Sequence, residues 1–176
     1  MKNLLTLARN SILEEFTQGY SLNLNKFREA FKEEKSVFIT LYKNKELRGC
    51  IGQIQATKPL YRNVYEMAKK AAFEDQRFYP VTKEEMEEIT IEISILSPLT
   101  TIETLNNIVI GKHGVMLRYK NQTAVFLPEV AYEQRWSIEQ LKKALLAKAG
   151  IKKDITENDI HYHVFTSKKI TEKDLL

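Results

Sequence analysis

What this chain has little of narrows its class. One cysteine, Cys50, in 176 residues cannot close an internal disulfide, and no Cys-x-x-Cys pair offers thiolates to a structural zinc. A fold that stands on packing in a reducing, cytoplasmic setting is expected. Four prolines and six glycines exclude collagen-like or low-complexity character, and no apolar run approaches the length of a membrane span. Neither charge sign dominates: 27 basic against 23 acidic residues leave +4. By segment the balance is +4 over residues 1–60, −4 over 61–109 and +4 over 110–176. Such scatter argues against a nucleic-acid reader, which concentrates charge on one face. With 43% hydrophobic residues the length suits one domain with a sizeable core and no linker.

The first residues, Met1 to Leu7, are cut by Arg9 and Asn10 before they can read as a signal peptide. Leu5, Ala8, Ile12 and Phe16 recur at helical spacing, so residues 3–17 are predicted as an amphipathic helix closed by Gly19. Residues 26–34 are read as a short helix or loop. Ser36–Tyr42 and Leu47–Ile54, joined by the polar turn Lys43-Asn44-Lys45, predict a hairpin. Pro59 opens a helix that runs to Phe73. Residues 73–80 read as an ordered loop, where a boundary is placed, and Thr82 with Glu85 has capping-box spacing. Ile89, Ile91, Ile93 and Ile95 alternate along the clearest strand. Residues 108–110, 115–119 and 123–127 are predicted as three more strands, Ser137 and Gln140 as the cap of a helix ending at Gly150, and 160–165 as a closing strand. The class is α+β, with mainly antiparallel sheet flanked by helices.

Chemistry concentrates at Leu47-Arg48-Gly49-Cys50-Ile51-Gly52. Glycine inside a strand marks a bulge or the close approach of a ligand or another backbone. An unbroken strand would put Arg48 and Cys50 on one face, about 6.6 Å apart, with Leu47 and Ile51 facing the core. A guanidinium beside the thiol would favour thiolate and a nucleophile; the alternative is a small buried side chain.

The same six residues resemble the signature of the AMMECR domain family. Asp75-x-Arg77-Phe78-x-Pro80, Ser94-Ile95-Leu96-Ser97, Gly111-x-His113-Gly114 and Phe126-Leu127-Pro128-Glu129-Val130-Ala131, followed by Gln134 and Trp136, resemble later family motifs in the same order over residues 3–165. The resemblance implies a single domain of two lobes, larger and smaller, with the signature near a cleft between them. It also implies partners: prokaryotic members are similar to the first component of a trio with a Memo-type protein and a radical S-adenosylmethionine protein.

His113, between two glycines at a turn, can serve acid/base work near neutral pH or simply bond backbone. Glu129, after Pro128, can orient a histidine or cap a turn. Asp75 and Arg77 can pin their loop or bind an anion. His161 and His163 share a strand face, but no third or fourth metal ligand stands at recognisable spacing, so no metal is expected. The pairs Lys69-Lys70, Lys142-Lys143, Lys152-Lys153 and Lys168-Lys169 read as solvated faces, and Tyr132 and Trp136 as packing residues. No cofactor motif is present.

Three functions follow. The favoured one is a binding or adaptor module that holds a protein partner or small molecule at the signature strand through Arg48, Gly49, Gly52, Asp75 and Arg77. The second is an enzyme with Cys50 as nucleophile or acid, assisted by His113 and Glu129. The third is weak nucleic-acid association; no membrane is involved.

Overall fold

The computed structural model describes residues 2–151 and 159–175, which leaves Lys152 and Lys153 outside the described residues. The chain divides into two units, Met1–Leu96 with Lys168–Leu176, and Ser97–Ser167. The division falls after Leu96 rather than in the expected boundary at 73–80, because the strand that follows that loop pairs inside the first unit.

The first unit is a four-stranded sheet covered on one side by two helices. Helix α1 (Lys2–Glu14) buries the predicted Leu5, Ala8 and Ile12 together with Leu4 and Leu7, and it ends before Phe16, which packs against the same core from beyond the helix. A four-residue helix, α2 (Asn25–Arg28), precedes the hairpin β1 (Val37–Lys43) and β2 (Glu46–Gly52). Asn44 and Lys45 both take positive φ, 51° and 68°, the backbone of a tight hairpin turn whose twist matches that of the strands. Helix α3 (Leu60–Phe73) begins just after Pro59, whose extended ψ of 144° sets the entry of the chain. β3 (Ile89–Leu96) lies antiparallel to β1, with Ile93 opposite Ile39 and Ile91 opposite Leu41. All four of those side chains are fully buried against α1 and α3.

The second unit holds β4 (Thr100–Ile102), β5 (Gly114–Tyr119), β6 (Gln122–Phe126), α4 (Pro128–Glu133), α5 (Ile138–Lys148) and β7 (His161–Phe165). The sheet order is β4-β7-β5-β6. Val115, Leu117, Ala124 and Tyr162 meet Ala131, Leu141 and Leu145 of the helices in a second core. Trp136 packs edge-on against Phe126 at 5.3 Å, whereas Tyr132 is exposed. The Ser137–Gln140 capping box is complete, each side chain bonding the other residue's backbone N–H.

Residues 108–110 are not the expected strand. The N–H and C=O of Val109 are taken by the turn that follows, bonded to His113 Nδ1 and to the backbone N–H groups of Lys112 and His113, so neither group is left for a sheet ladder. Nor does the strand at 161–165 close the chain: β8 (Ser167–Thr171) follows it and joins the first sheet beside β3. Among the described residues no helix is long and apolar enough to cross a membrane.

Candidate functional site

The signature strand β2 is the edge of the first sheet, and it is bulged. Gly49 pairs with Leu41, yet Leu47 pairs with the next β1 residue, Tyr42, so Arg48 is the extra residue. The bulge breaks the alternation an unbroken strand would give. Leu47, expected in the core, is 41% exposed, while Ile51 stays packed against the core.

Gly49 lies under α3. A Cβ there would stand 2.2 Å from the Ala71 carbonyl oxygen, so the missing side chain lets the helix backbone rest on the strand. Gly52 sits under the ring of Phe38, its cross-strand partner; a Cβ would meet the ring at 2.3 Å. Both glycines of the signature are thus filled by the protein itself.

Cys50 faces the opposite side of the sheet from Gly49, beside Thr40, whose hydroxyl donates to the sulfur at 3.4 Å. Arg48 does not stand over it. Its guanidinium is held by Glu85 through two bonds, Nε at 3.0 Å and Nη2 at 2.9 Å, and Lys43 adds a third contact to the same carboxylate. Arg48 holds the Glu85 carboxyl down at about 2 against its burial. Burial pushes the Cys50 thiol above its ordinary range and outweighs the Thr40 bond and the charge of Arg77, while Asp75 and Glu92 push the same way as burial. The expectation of a thiol activated by Arg48 is therefore corrected: the site holds the protonated form.

Asp75 and Arg77 reach the same residue from the loop after α3. Asp75 accepts from the Cys50 N–H at 2.8 Å, and Arg77 donates to the Cys50 carbonyl at 3.3 Å. They also pair with each other, through Nε at 2.9 Å and Nη2 at 2.7 Å. The Asp75 side chain is 5% exposed, and the guanidinium lowers its carboxyl well below the usual carboxylate range. Together the two side chains supply the acceptor and the donor that a neighbouring strand would offer. They seal the edge of the sheet at its signature residue.

The guanidinium carbons of Arg48 and Arg77 stand 6.0 and 5.4 Å from the centroid of the Phe78 ring. Next to it Tyr79 is 90% exposed. Glu85 and Phe78 thus complete a cluster that sequence reading assigned only to a cap and to a family motif. Long-range pairing of Arg48 with Glu85, 37 positions apart, leaves no local signal.

His113 and Glu129 belong to the second unit, and Cys50 to the first. His113 Nδ1 accepts the Val109 N–H at 3.0 Å, the backbone-bonding option for a turn histidine. Glu129 stands in the first turn of α4, where a carboxylate complements the helix N-terminus. Among the described residues no group of three or more His, Cys, Asp or Glu could hold a metal ion. A cavity of about 810 Å³ in the first unit, floored by Leu13, Met86 and Ile89 and rimmed by Glu84, Glu87 and Lys173, contains none of the expected site residues.

Comparison with known proteins gives the arrangement its kin. The AMMECR1 family model matches residues 5–170. A protein of Methanocaldococcus jannaschii is 37% identical over 153 residues, covering 82% of this chain and 76% of its own length. One of Aquifex aeolicus is 31% identical over 183 residues, covering 99% and 93%. Among solved structures, an uncharacterized protein from Pyrococcus horikoshii superposes with a TM-score of 0.86 at 28% identity, covering 97% of this chain and 90% of that one. The names of these relatives assign no activity. With a match along nearly its whole length, the chain belongs to the AMMECR1 family.

Proposed function

We propose that the chain is a binding module whose recognition surface is the loop sealed onto the β2 edge, and that its partner is a protein. One observation carries this reading: Tyr79, 90% exposed, stands on a loop held rigid on both sides. Asp75 and Arg77 bind it to Cys50, the Phe78 N–H bonds the Asp75 carbonyl, and the Val81 N–H returns to Ala72. An aromatic ring that loses little entropy on contact, beside the arginines on Phe78, has the composition of an interface anchor.

The Memo-type and radical S-adenosylmethionine proteins implied by the family resemblance are the partners proposed. Surface plasmon resonance with each, over immobilised wild type and Tyr79→Ala, tests the reading. Binding that weakens by roughly 30-fold in the variant, the size of a hot-spot loss, supports it. Binding to neither protein, or equal binding to both forms, overturns it. The geometry argues against the enzyme alternative: burial pushes the Cys50 thiol up, and Glu85 and Asp75 hold the guanidinium groups of Arg48 and Arg77.

A further inference from the structure

The second sheet carries a polar group of its own, apart from the β2 edge. Alternation along β5 and β7 sets Arg118, His161 and His163 on one side of the sheet, opposite Leu117 and Tyr162, which face the helices. The register places Arg118 directly across from His161 on β7 and from Thr123 on β6. His163 lies across from Thr101 on β4, with the Thr101 hydroxyl 3.1 Å from Nδ1. That contact occupies Nδ1 and leaves Nε2 to face a ligand. Arg118, His161, Thr101 and Thr123 are exposed, and His163 is half-buried.

The two histidines stand without a third His, Cys, Asp or Glu able to complete a metal site among the described residues. The register supplies the third member, and it is a cation, which suits an anion rather than a metal. Directly opposed side chains start about 5 Å apart and diagonal ones about 7–8 Å; alternate residues along one strand are about 6.6 Å apart. A phosphate group whose oxygens accept charge-assisted bonds of about 2.8 Å can span such a triangle. Burial first, and then the charges of His161 and Arg118, lower the pKa of His163, and no carboxylate offsets them. No ion pair joins Arg118 to a described residue.

The geometry points to an oxyanion site in which Arg118, His161 and His163 take the phosphate group of a small molecule. Arginine supplies two parallel donors to such a group, and the histidines add one each when the anion draws them into the charged form.

The test is a histidine-ring NMR titration of the full chain against pH at constant ionic strength, in chloride, inorganic phosphate or ribose 5-phosphate. An anion that binds the charged ring more tightly must raise its pKa. The expected result is a rise for His163 of at least about half a unit over chloride, lost in Arg118→Gln while the unfolding midpoint of that variant holds. Tighter binding of ribose 5-phosphate identifies a phosphate monoester as ligand, and equal binding identifies inorganic phosphate. No shift beyond chloride, or a shift that persists in Arg118→Gln, overturns the assignment.

Discussion

Replacing Gly49 by alanine adds one methyl group where the protein has no space for it. The new Cβ would stand 2.2 Å from the Ala71 carbonyl oxygen, about 1 Å inside van der Waals contact. Neither party can step aside easily. The oxygen is backbone in the last turn of α3, and that helix buries Val64, Met67, Ala68, Ala71 and Ala72 against the sheet. β2 in turn is tied to β1 by the ladder and to the loop through Cys50. Overpacking of this kind costs about 1–3 kcal/mol, and a rigid backbone obstacle puts Gly49→Ala near the upper end. With a urea slope of roughly 2 kcal/mol per M, a loss of about 3 kcal/mol lowers the midpoint by about 1.5 M. Circular dichroism at 222 nm follows the helices of both units, the two longest of which, α1 and α3, belong to the first. The single tryptophan, Trp136, packs in the second, so its fluorescence reports that unit independently. The dichroism midpoint should fall as stated; a shift below about 0.3 M would refute the claim that the glycine exists to admit α3.

Cys50 should alkylate slowly with iodoacetamide at pH 7 to 8.5, and its rate should climb only above the ordinary thiol pKa of 9.0, because burial raises the thiol in the folded state; a reactive thiol at pH 7 would contradict that. Since the folded form holds this proton more tightly than the unfolded one, its contribution to stability is full below pH 9.0 and declines as pH rises through the elevated folded value. Glu85 has the opposite sign: its carboxyl is depressed from 4.5 to about 2, so the Arg48 pair stabilises above pH 4.5 and the benefit disappears as pH falls toward 2. Acid titration of Glu85→Gln should therefore lack part of the stability loss wild type shows in that window. Asp75→Asn keeps the shape but removes the charge that holds Arg77 and takes the Cys50 N–H. It should cost about 1.5–3 kcal/mol, the range for hydrogen bonds to a charged group, and hydrogen exchange at Cys50 should quicken relative to Ile51, which bonds toward β1.

The sequence conveys elements whose signal is local. The isoleucine alternation of β3, the stripe of α1, the hairpin about Asn44 and the Ser137 capping box all depend on residues within a few positions of one another, and each is present. What escapes has little apolar pattern of its own. β4 is three residues long, α4 six, and β8 carries one buried side chain, Ile170, among polar ones. The site divides on the same line. The glycines advertise a bulge and a close backbone approach, and both occur, but sequence cannot say that the approaching backbone is α3. The bulge itself follows from pairing, and it is what carries Leu47 to the surface and separates Arg48 from Cys50.

The signature therefore has a physical explanation that does not pass through catalysis. An edge strand of this length exposes unpaired backbone groups and invites pairing with another chain. Here one glycine lets a helix rest on the strand, the other accepts the Phe38 ring, and the bulged arginine is anchored to Glu85. The remaining donor and acceptor at Cys50 are closed by an aspartate and an arginine two residues apart. Each of these roles requires its residue type: no Cβ at 49 and 52, a bidentate cation at 48, and a small side chain at 50 that fits beside Thr40. Motifs so far apart in sequence as Leu47–Gly52 and Asp75–Pro80 are then one device. The strand needs the loop to be sealed, and the loop needs the strand to hold Tyr79 in place. Asp75→Asn should therefore weaken partner binding along with Tyr79→Ala even though Asp75 is buried, whereas Cys50→Ser should leave binding unchanged.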